Sequence, residues 1–212
     1  MKNIITKTIL MCAALVGAVS CEFTEPEWVN PIALGAKQTV LELPSTAPGS
    51  DHFNIVSNCE YNLSVLQGAE WIEITNKAER EIAFNYTQNN GFKRSAVIEI
   101  SAPGRIDSLT VRQPGAYTEY IRIPAEQQTF NLDAQGGQYK VDFATNILFN
   151  DLKFEAGSPQ IHNVQLSKNS IFFEVLPTTS RDDRTFTLSI YALDGWKQRV
   201  EAVITINQAK LK

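Results

Sequence analysis

Residues 94–115 and 184–209 constrain this chain most. Each stretch opens on an Arg, runs through two alternating segments around a turn, and closes on a Gln. In the first, Ala96, Ile98 and Ile100 fall on one face, with Val97 and Glu99 opposite. In the second, Phe186, Leu188 and Ile190 share a face, as do Ala202, Ile204 and Ile206. A period of two is the mark of a strand, because successive side chains leave the backbone on opposite sides. Two such runs flanking Pro103-Gly104 or Asp194-Gly195 read as β-hairpins. The second turn, taken as a two-residue loop, places Trp196 at an exposed tip.

The rest of the chain repeats around these hairpins. Gln38-Thr39 corresponds to Gln128-Thr129 at an offset of 90, Ser57-Asn58 to Thr145-Asn146 at 88, Arg94 to Arg184 at 90 and Gln113 to Gln208 at 95. Such landmarks predict a tandem duplication whose second copy has the longer final hairpin. No segment sustains a 3.6-residue period. Short alternating runs broken by Gly, Pro, Asn and Asp predict strands at 39–43, 53–57, 61–65, 71–75, 81–86, 94–101 and 108–113. The fold class is therefore all-β: two tandem immunoglobulin-like β-sandwich domains, at 30–115 and 117–209. Pro114-Gly115-Ala116 marks the boundary, since Pro cannot donate to a ladder. So short a linker predicts sandwiches set end to end with limited freedom.

Residues 1–20 read as a targeting segment. Lys2 and Lys7 supply a positive start, and the apolar run 9–19 falls well short of the ~20 residues that span a bilayer. Ala18-Val19-Ser20-Cys21 resembles the bacterial lipoprotein box, which implies a lipoprotein signal peptide and acylation of Cys21 by palmitate-like chains; an ordinary secretory signal cut near Ser20 is the alternative. Two or more acyl chains give stable anchoring. Residues 21–29 are short and acidic and read as a tether, similar to the surface-export stretch of some Bacteroidetes lipoproteins. That implies a cell-surface position on the outer membrane, with the lipid as the only membrane contact. With 19 basic against 23 acidic residues, and Lys2 and Lys7 lost with the signal, the chain lacks the basic excess that nucleic acid binding requires. Once Cys12 is removed and Cys21 acylated, only Cys59 remains. No disulfide or Cys-based metal site is expected within one chain, and Cys59 reads as a buried small apolar residue.

The motif set is specific. Ser57-Asn58 after an early strand, Trp71 heading a middle strand, Arg94-x-Ala96-x-Ile98-x-Ile100 and Leu109-Thr110-Val111-x-Gln113-x-Gly115 resemble the BACON domain. This is a β-sandwich module common in Bacteroidetes surface proteins, whose name records a proposed carbohydrate-binding role. The second half keeps Gly136-Gly137-x-Tyr139-x-Val141-x-Phe143-x-Thr145-Asn146, Arg184 and Gln208. It departs in having Phe154 rather than Trp near the middle strand and no Gly after the Gln. The resemblance bears on fold more than on function.

Catalytic chemistry finds little support. The two histidines, His52 and His162, both read as loop residues, and Ser50-Asp51-His52 are sequence neighbours that cannot adopt triad geometry among themselves. The carboxylates Glu99, Asp107, Glu174, Asp182, Asp183, Asp194 and Glu201 are scattered, whereas a glycosidase needs two facing one cleft. The chain is expected to be no enzyme and to need no cofactor. For sugar binding, aromatic rings carry the expectation: Trp196 at the hairpin tip, with Tyr191 and Lys197 beside it, and Trp71 as a further candidate; Trp28 lies in the tether. Asp107-Ser108-Leu109 resembles an O-glycosylation acceptor, at Ser108. The expected function is a non-catalytic surface lipoprotein presenting a carbohydrate- or protein-binding sandwich pair. Its partners would be a polysaccharide, a glycoprotein glycan or proteins of a glycan-uptake system. The alternatives are a structural spacer without its own ligand and a fimbrial or assembly subunit.

Overall fold

A computed structural model describes residues 31–212. The signal segment, Cys21, Trp28 and the tether lie outside the described residues. Ala33–Lys212 form one compact unit, built from strands and two short 3-10 turns, Ala125–Gln127 and Phe149–Asp151.

The first sandwich holds β1 (Leu34–Ala36), β2 (Val40–Glu42), β3 (Gly49–Ser57), β4 (Asn62–Gln67), β5 (Ile72–Lys77), β6 (Glu81–Tyr86), β7 (Arg94–Ala102) and β8 (Arg105–Gln113). They form two sheets, β1-β3-β6-β5 and β2-β8-β7-β4. Neighbours are antiparallel except β2 and β8, which run parallel. One leading strand is thus split between the sheets, its first half on β3 and its second on β8. With β3-β6-β5 facing β8-β7-β4, this is the immunoglobulin arrangement. The alternation read from sequence fills the core: Ala96, Ile98, Ile100, Leu109 and Val111 meet Phe53, Ile55, Ile82 and Phe84, all buried. Each such Ile, Leu or Phe contributes about 1.5–3 kcal/mol by leaving water. Pro103-Gly104 closes the hairpin, with Gly104 at φ +76, where Gly is favoured over other residues.

The second sandwich follows the same order: β9 (Ile121–Arg122), β10 (Thr129–Leu132), β11 (Gly137–Asp142), β12 (Ala144–Thr145), β13 (Lys153–Ala156), β14 (Ile161–Leu166), β15 (Ser170–Val175), β16 (Arg184–Leu193) and β17 (Arg199–Gln208). Its sheets are β10-β17-β16-β13 and β11-β15-β14, with β9 paired to β12. The parallel pair recurs as β10 on β17. A separate apolar cluster, including Val141, Ile171, Phe173, Leu188, Ile190, Ile204 and Ile206, fills it.

Several expectations need correction. β3 starts at Gly49, so Ser50, Asp51 and His52 lie on a strand, paired with Asn85, Phe84 and Ala83; cross-strand pairing overrides a loop-like composition. His162 lies on β14, not in a loop. Phe154 is not the counterpart of Trp71. It sits on β13, opposite Ile190. The position equivalent to Trp71 is Gln160: Thr87 N–H donates to the Trp71 carbonyl and Leu176 N–H to the Gln160 carbonyl, each at 3.0 Å.

Candidate functional site

The repeated Arg and Gln belong to the hairpin base. Arg94 is paired across the ladder with Gln113 and Arg184 with Gln208. Arg94 Nε donates to Gln113 Oε1 at 2.9 Å, and its terminal nitrogen donates to the Thr87 carbonyl at 2.8 Å. Gln113, fully buried, sends Nε2 to the Thr87 carbonyl at 3.1 Å and, more distantly, toward the carbonyls of Ser45, Thr46 and Ala47. One buried amide thus ties the 45–47 loop to the end of β6 at the hairpin base. Burial lowers the Arg94 pKa, against the charge of Glu70, and a guanidinium stays charged regardless. Trp71 lies beneath it, 3% exposed, with the guanidinium carbon 4.3 Å from its ring centroid. As a ligand candidate Trp71 is therefore corrected: its ring is core, stacked under its own domain's Arg.

Trp196 requires a larger correction. The loop between β16 and β17 runs from Asp194 to Gln198 rather than over two residues, because Asp194 N–H donates to the Gln198 carbonyl at 2.9 Å and Lys197 N–H to the Asp194 carbonyl at 2.8 Å. Lys197 takes up the turn at φ +61. The tip does not stand in solvent but docks on the first sandwich. Trp196 is half-buried, and its Nε1 donates to the Arg94 carbonyl at 3.1 Å. Lys93 Nζ lies 5.0 Å and the Arg112 guanidinium 5.6 Å from its ring. Lys93 Nζ donates to Asp194 Oδ2 at 2.8 Å, and Ser95 Oγ to the Gly195 carbonyl at 2.9 Å. A Cβ on Gly195 would collide with the Lys93 carbonyl, so only Gly permits this approach.

Asp194 is the centre of the junction. Its side chain is 2% exposed, against 21% for Lys93. Burial pushes its carboxyl upward, but the Lys93 hydrogen bond, the N–H groups of Gln198 and Trp196 and the Lys93 charge outweigh this and hold it below its ordinary value. The linker is fastened as well. Asn89, buried, donates to the carbonyls of Phe92 and Pro114 at 2.8 and 2.9 Å. Gly115 lies so close to the backbone of residues 91–93 that a Cβ would overlap it, and Phe92 meets Tyr117 edge-on at 6.2 Å. These contacts hold the linker against the end of the first sandwich.

The other sequence candidates are dispersed. Tyr191 has the Arg199 guanidinium 4.0 Å from its ring centroid, so it and Trp196 each face a cation. Lys197 is exposed. Ser108 is exposed on β8, opposite Glu99, and Asp107 accepts from Ala36 N–H and Ser108 N–H, each at 2.8 Å. Glu201 binds Arg199, and Asp183 accepts from Lys210 N–H. Cys59 is half-buried rather than buried, on the rim of a cleft of about 680 Å³ with Tyr61, Lys77, Glu79 and Pro103. His52 is exposed, 3.8 Å from Asp51 and 4.0 Å from Glu81. Among the described residues, no group of three or more His, Cys, Asp or Glu is arranged to hold a metal ion.

One feature escaped the reading of the sequence. Phe172 projects from the middle of β15 on the outer face of β11-β15-β14 and is 42% exposed, whereas Phe173 is 2% exposed. A cleft of about 220 Å³ lies there, bordered by Gln138, Asn163, Gln165, Phe172 and Glu174. The signal is the Phe-Phe pair itself: adjacent residues of a strand point to opposite faces, so one ring had to face outward.

The described residues define, in class, a tandem pair of immunoglobulin-like sandwiches. The comparisons refine this. Residues 56–114, from the end of β3 past the end of β8, match the BACON family, described as "Putative binding domain, N-terminal"; the first sandwich carries the BACON domain that its motifs resemble. Solved structures similar to the chain include a Bacteroides ovatus GH5 xyloglucanase in complex with a XXXG heptasaccharide (14% identity, TM-score 0.35, 43% of this chain and 19% of that one). Others are an endo-fucoidan hydrolase of glycoside hydrolase family 107 (12%, 0.31, 87% and 28%) and an I-band fragment of titin (10%, 0.35, 85% and 65%). The chain spans less than a third of the length of either hydrolase, and at these TM-scores none of the likenesses bears on activity. No curated protein matches the chain.

Proposed function

We propose that this protein is a non-catalytic lipoprotein, anchored through Cys21 on the outer face of the outer membrane, whose two sandwiches form one stiff unit that presents a carbohydrate- or protein-binding surface. The observation that carries this reading is the Asp194–Lys93 and Trp196–Arg94 lock. It fixes the second sandwich on the first, as a module needs if it is to hold a surface away from an anchor. The BACON match supports binding as the role, and the address rests on the lipoprotein-like residues around Cys21. Membrane fractionation tests the anchor: Cys21→Ala should move the protein from the membrane to the soluble fraction. Retention of the variant in the membrane would sink the lipoprotein reading.

A spacer without its own ligand is the second reading. It is favoured by the use of Trp71 as core and by the docking of Trp196 on the first sandwich.

A further inference from the structure

The two sandwiches share a topology, so a residue that the fold requires should recur in both. Phe172 does not. The registers Gly49↔Tyr86 and Gly137↔Val175 place Phe172 at the position that Ala83 occupies in the first copy, and Glu174 at that of Asn85. The fold is thus satisfied by Ala at this site, and the exposed ring is particular to the second sandwich.

What surrounds the ring is polar and uses both hydrogen-bonding senses. Across the ladder Phe172 is flanked by Lys140 and Gln165, and Glu174 by Gln138 and His162. Between His162 and Gln165 the register of β14 shifts, and Asn163 takes φ +50. A bulge re-aims side chains. Here Asn163 is brought to the outer face, where its Nδ2 donates to Glu174 Oε2 at 2.6 Å. That bond steadies the carboxylate and leaves the amide oxygen of Asn163 and the second oxygen of Glu174 to meet a ligand. Lys140 stands 5.8 Å from the Phe172 centroid but is ion-paired with Asp142 at 2.8 Å and half exposed, so it borders the ring without fixing the site's charge.

An apolar ring ringed by amides and one carboxylate suits a solute with one face of C–H groups and a rim of hydroxyls. We propose that this outer face is a carbohydrate site. One sugar ring lies on Phe172, and its hydroxyls bond to Glu174, Asn163, Gln165 and Gln138. The cleft, about 220 Å³, falls below the roughly 300–1,000 Å³ of pockets that enclose larger ligands. It therefore takes a single ring of a chain, with weak affinity. The proposal rests on the carbohydrate-binding half of the proposed function and not on the anchor.

Saturation-transfer NMR on the purified protein with the methyl glycosides of glucose, galactose, mannose and xylose tests it. At least one glycoside should receive saturation at its C–H face. Phe172→Ala, which installs the residue of the first copy, should weaken that binding at least tenfold with the thermal unfolding profile retained. Glu174→Gln, which keeps shape and removes charge, should weaken it several-fold. A glycoside that binds Phe172→Ala as well as the parent protein would overturn this site while leaving the carbohydrate reading standing. No transfer to any of the four glycosides would overturn both, and would leave the Cys21 anchor, measured separately, untouched.

Discussion

The bases of the two final hairpins hold the same Arg–Gln pair and close it differently. In the first sandwich Arg94 lies over Trp71 and reaches the Thr87 and Gln88 carbonyls as well as Gln113. In the second, Arg184 donates to Gln208 Oε1 at 3.0 Å, Gln208 Nε2 donates to the Leu176 carbonyl at 2.9 Å, and Gln160 stands where the Trp would be. The buried Arg184 Nε has no hydrogen-bond partner. The pair is therefore the common device, and the stacked aromatic is particular to the first copy. The second copy carries its Trp at the other end of the hairpin, at the tip, and spends it on the first sandwich.

The sharpest way to break this comparison is to remove the stacked ring. Trp71→Ala should destabilise the first sandwich by about 3–5 kcal/mol, the usual cost of emptying a buried aromatic site, and it removes the ring on which the half-buried Arg94 guanidinium stacks. Chemical denaturation followed by fluorescence would read it as a lower midpoint. If Trp71→Ala cost less than about 1 kcal/mol, the ring would be dispensable and the two bases equivalent after all.

The tip comes next. Lys93→Met leaves the buried Asp194 carboxylate without its cation, a change that costs about 3 kcal/mol in comparable settings. Two backbone N–H groups still reach Asp194, so the lower side of that figure is expected here. The loss should appear as undocking: independent unfolding of the sandwiches and faster amide exchange around Arg94 and Trp196. Lys93→Met with Asp194→Leu should recover part of it. Acidity should reproduce the effect. The Asp194 pKa is depressed in the native state, so its contribution is fully present above the unfolded value of about 3.9 and is lost as pH falls through the lower native value. Docking that stayed unchanged from pH 7 to pH 2 would contradict the role given to this carboxylate.

How far the sequence could be read follows the same division. Alternation in residues 94–101 and 184–190 exposes the core directly, because burial on one face of a strand leaves a period of two. The paired Arg and Gln were legible as fold machinery because they recur. The split leading strand was half visible: Leu34–Ala36 is only three residues long and carries no period. Trp196 was misplaced because its environment is made by residues a hundred positions away, which no local pattern reports. Phe154 reads as the aromatic of the second middle strand because residue type suggests it, although both the repeat offset and the ladder put Gln160 there. Phe172 is visible in principle, since one ring of a Phe-Phe pair in a strand has to face outward, but nothing local says which of the two does.

The smallest expected effect concerns the tip alone. The loop has three residues between Asp194 and Gln198, a length that favours a type I turn followed by one left-handed residue, usually Gly. Lys197 fills that place at φ +61, where an L side chain costs about 1–2 kcal/mol. Gly would remove that cost but loses more freedom on folding, by about 0.5–1 kcal/mol. Lys197→Gly should therefore stabilise the second sandwich by only about 0.5 kcal/mol, with docking intact because the Lys197 side chain points to solvent. At the first hairpin Gly104 already holds its positive φ, with open space where a Cβ would be, so Gly104→Ala should lose what Lys197→Gly gains. Paired thermal melts of the two variants would compare the turns directly. A destabilised Lys197→Gly would mean that Lys197 contributes a contact at the junction beyond its backbone.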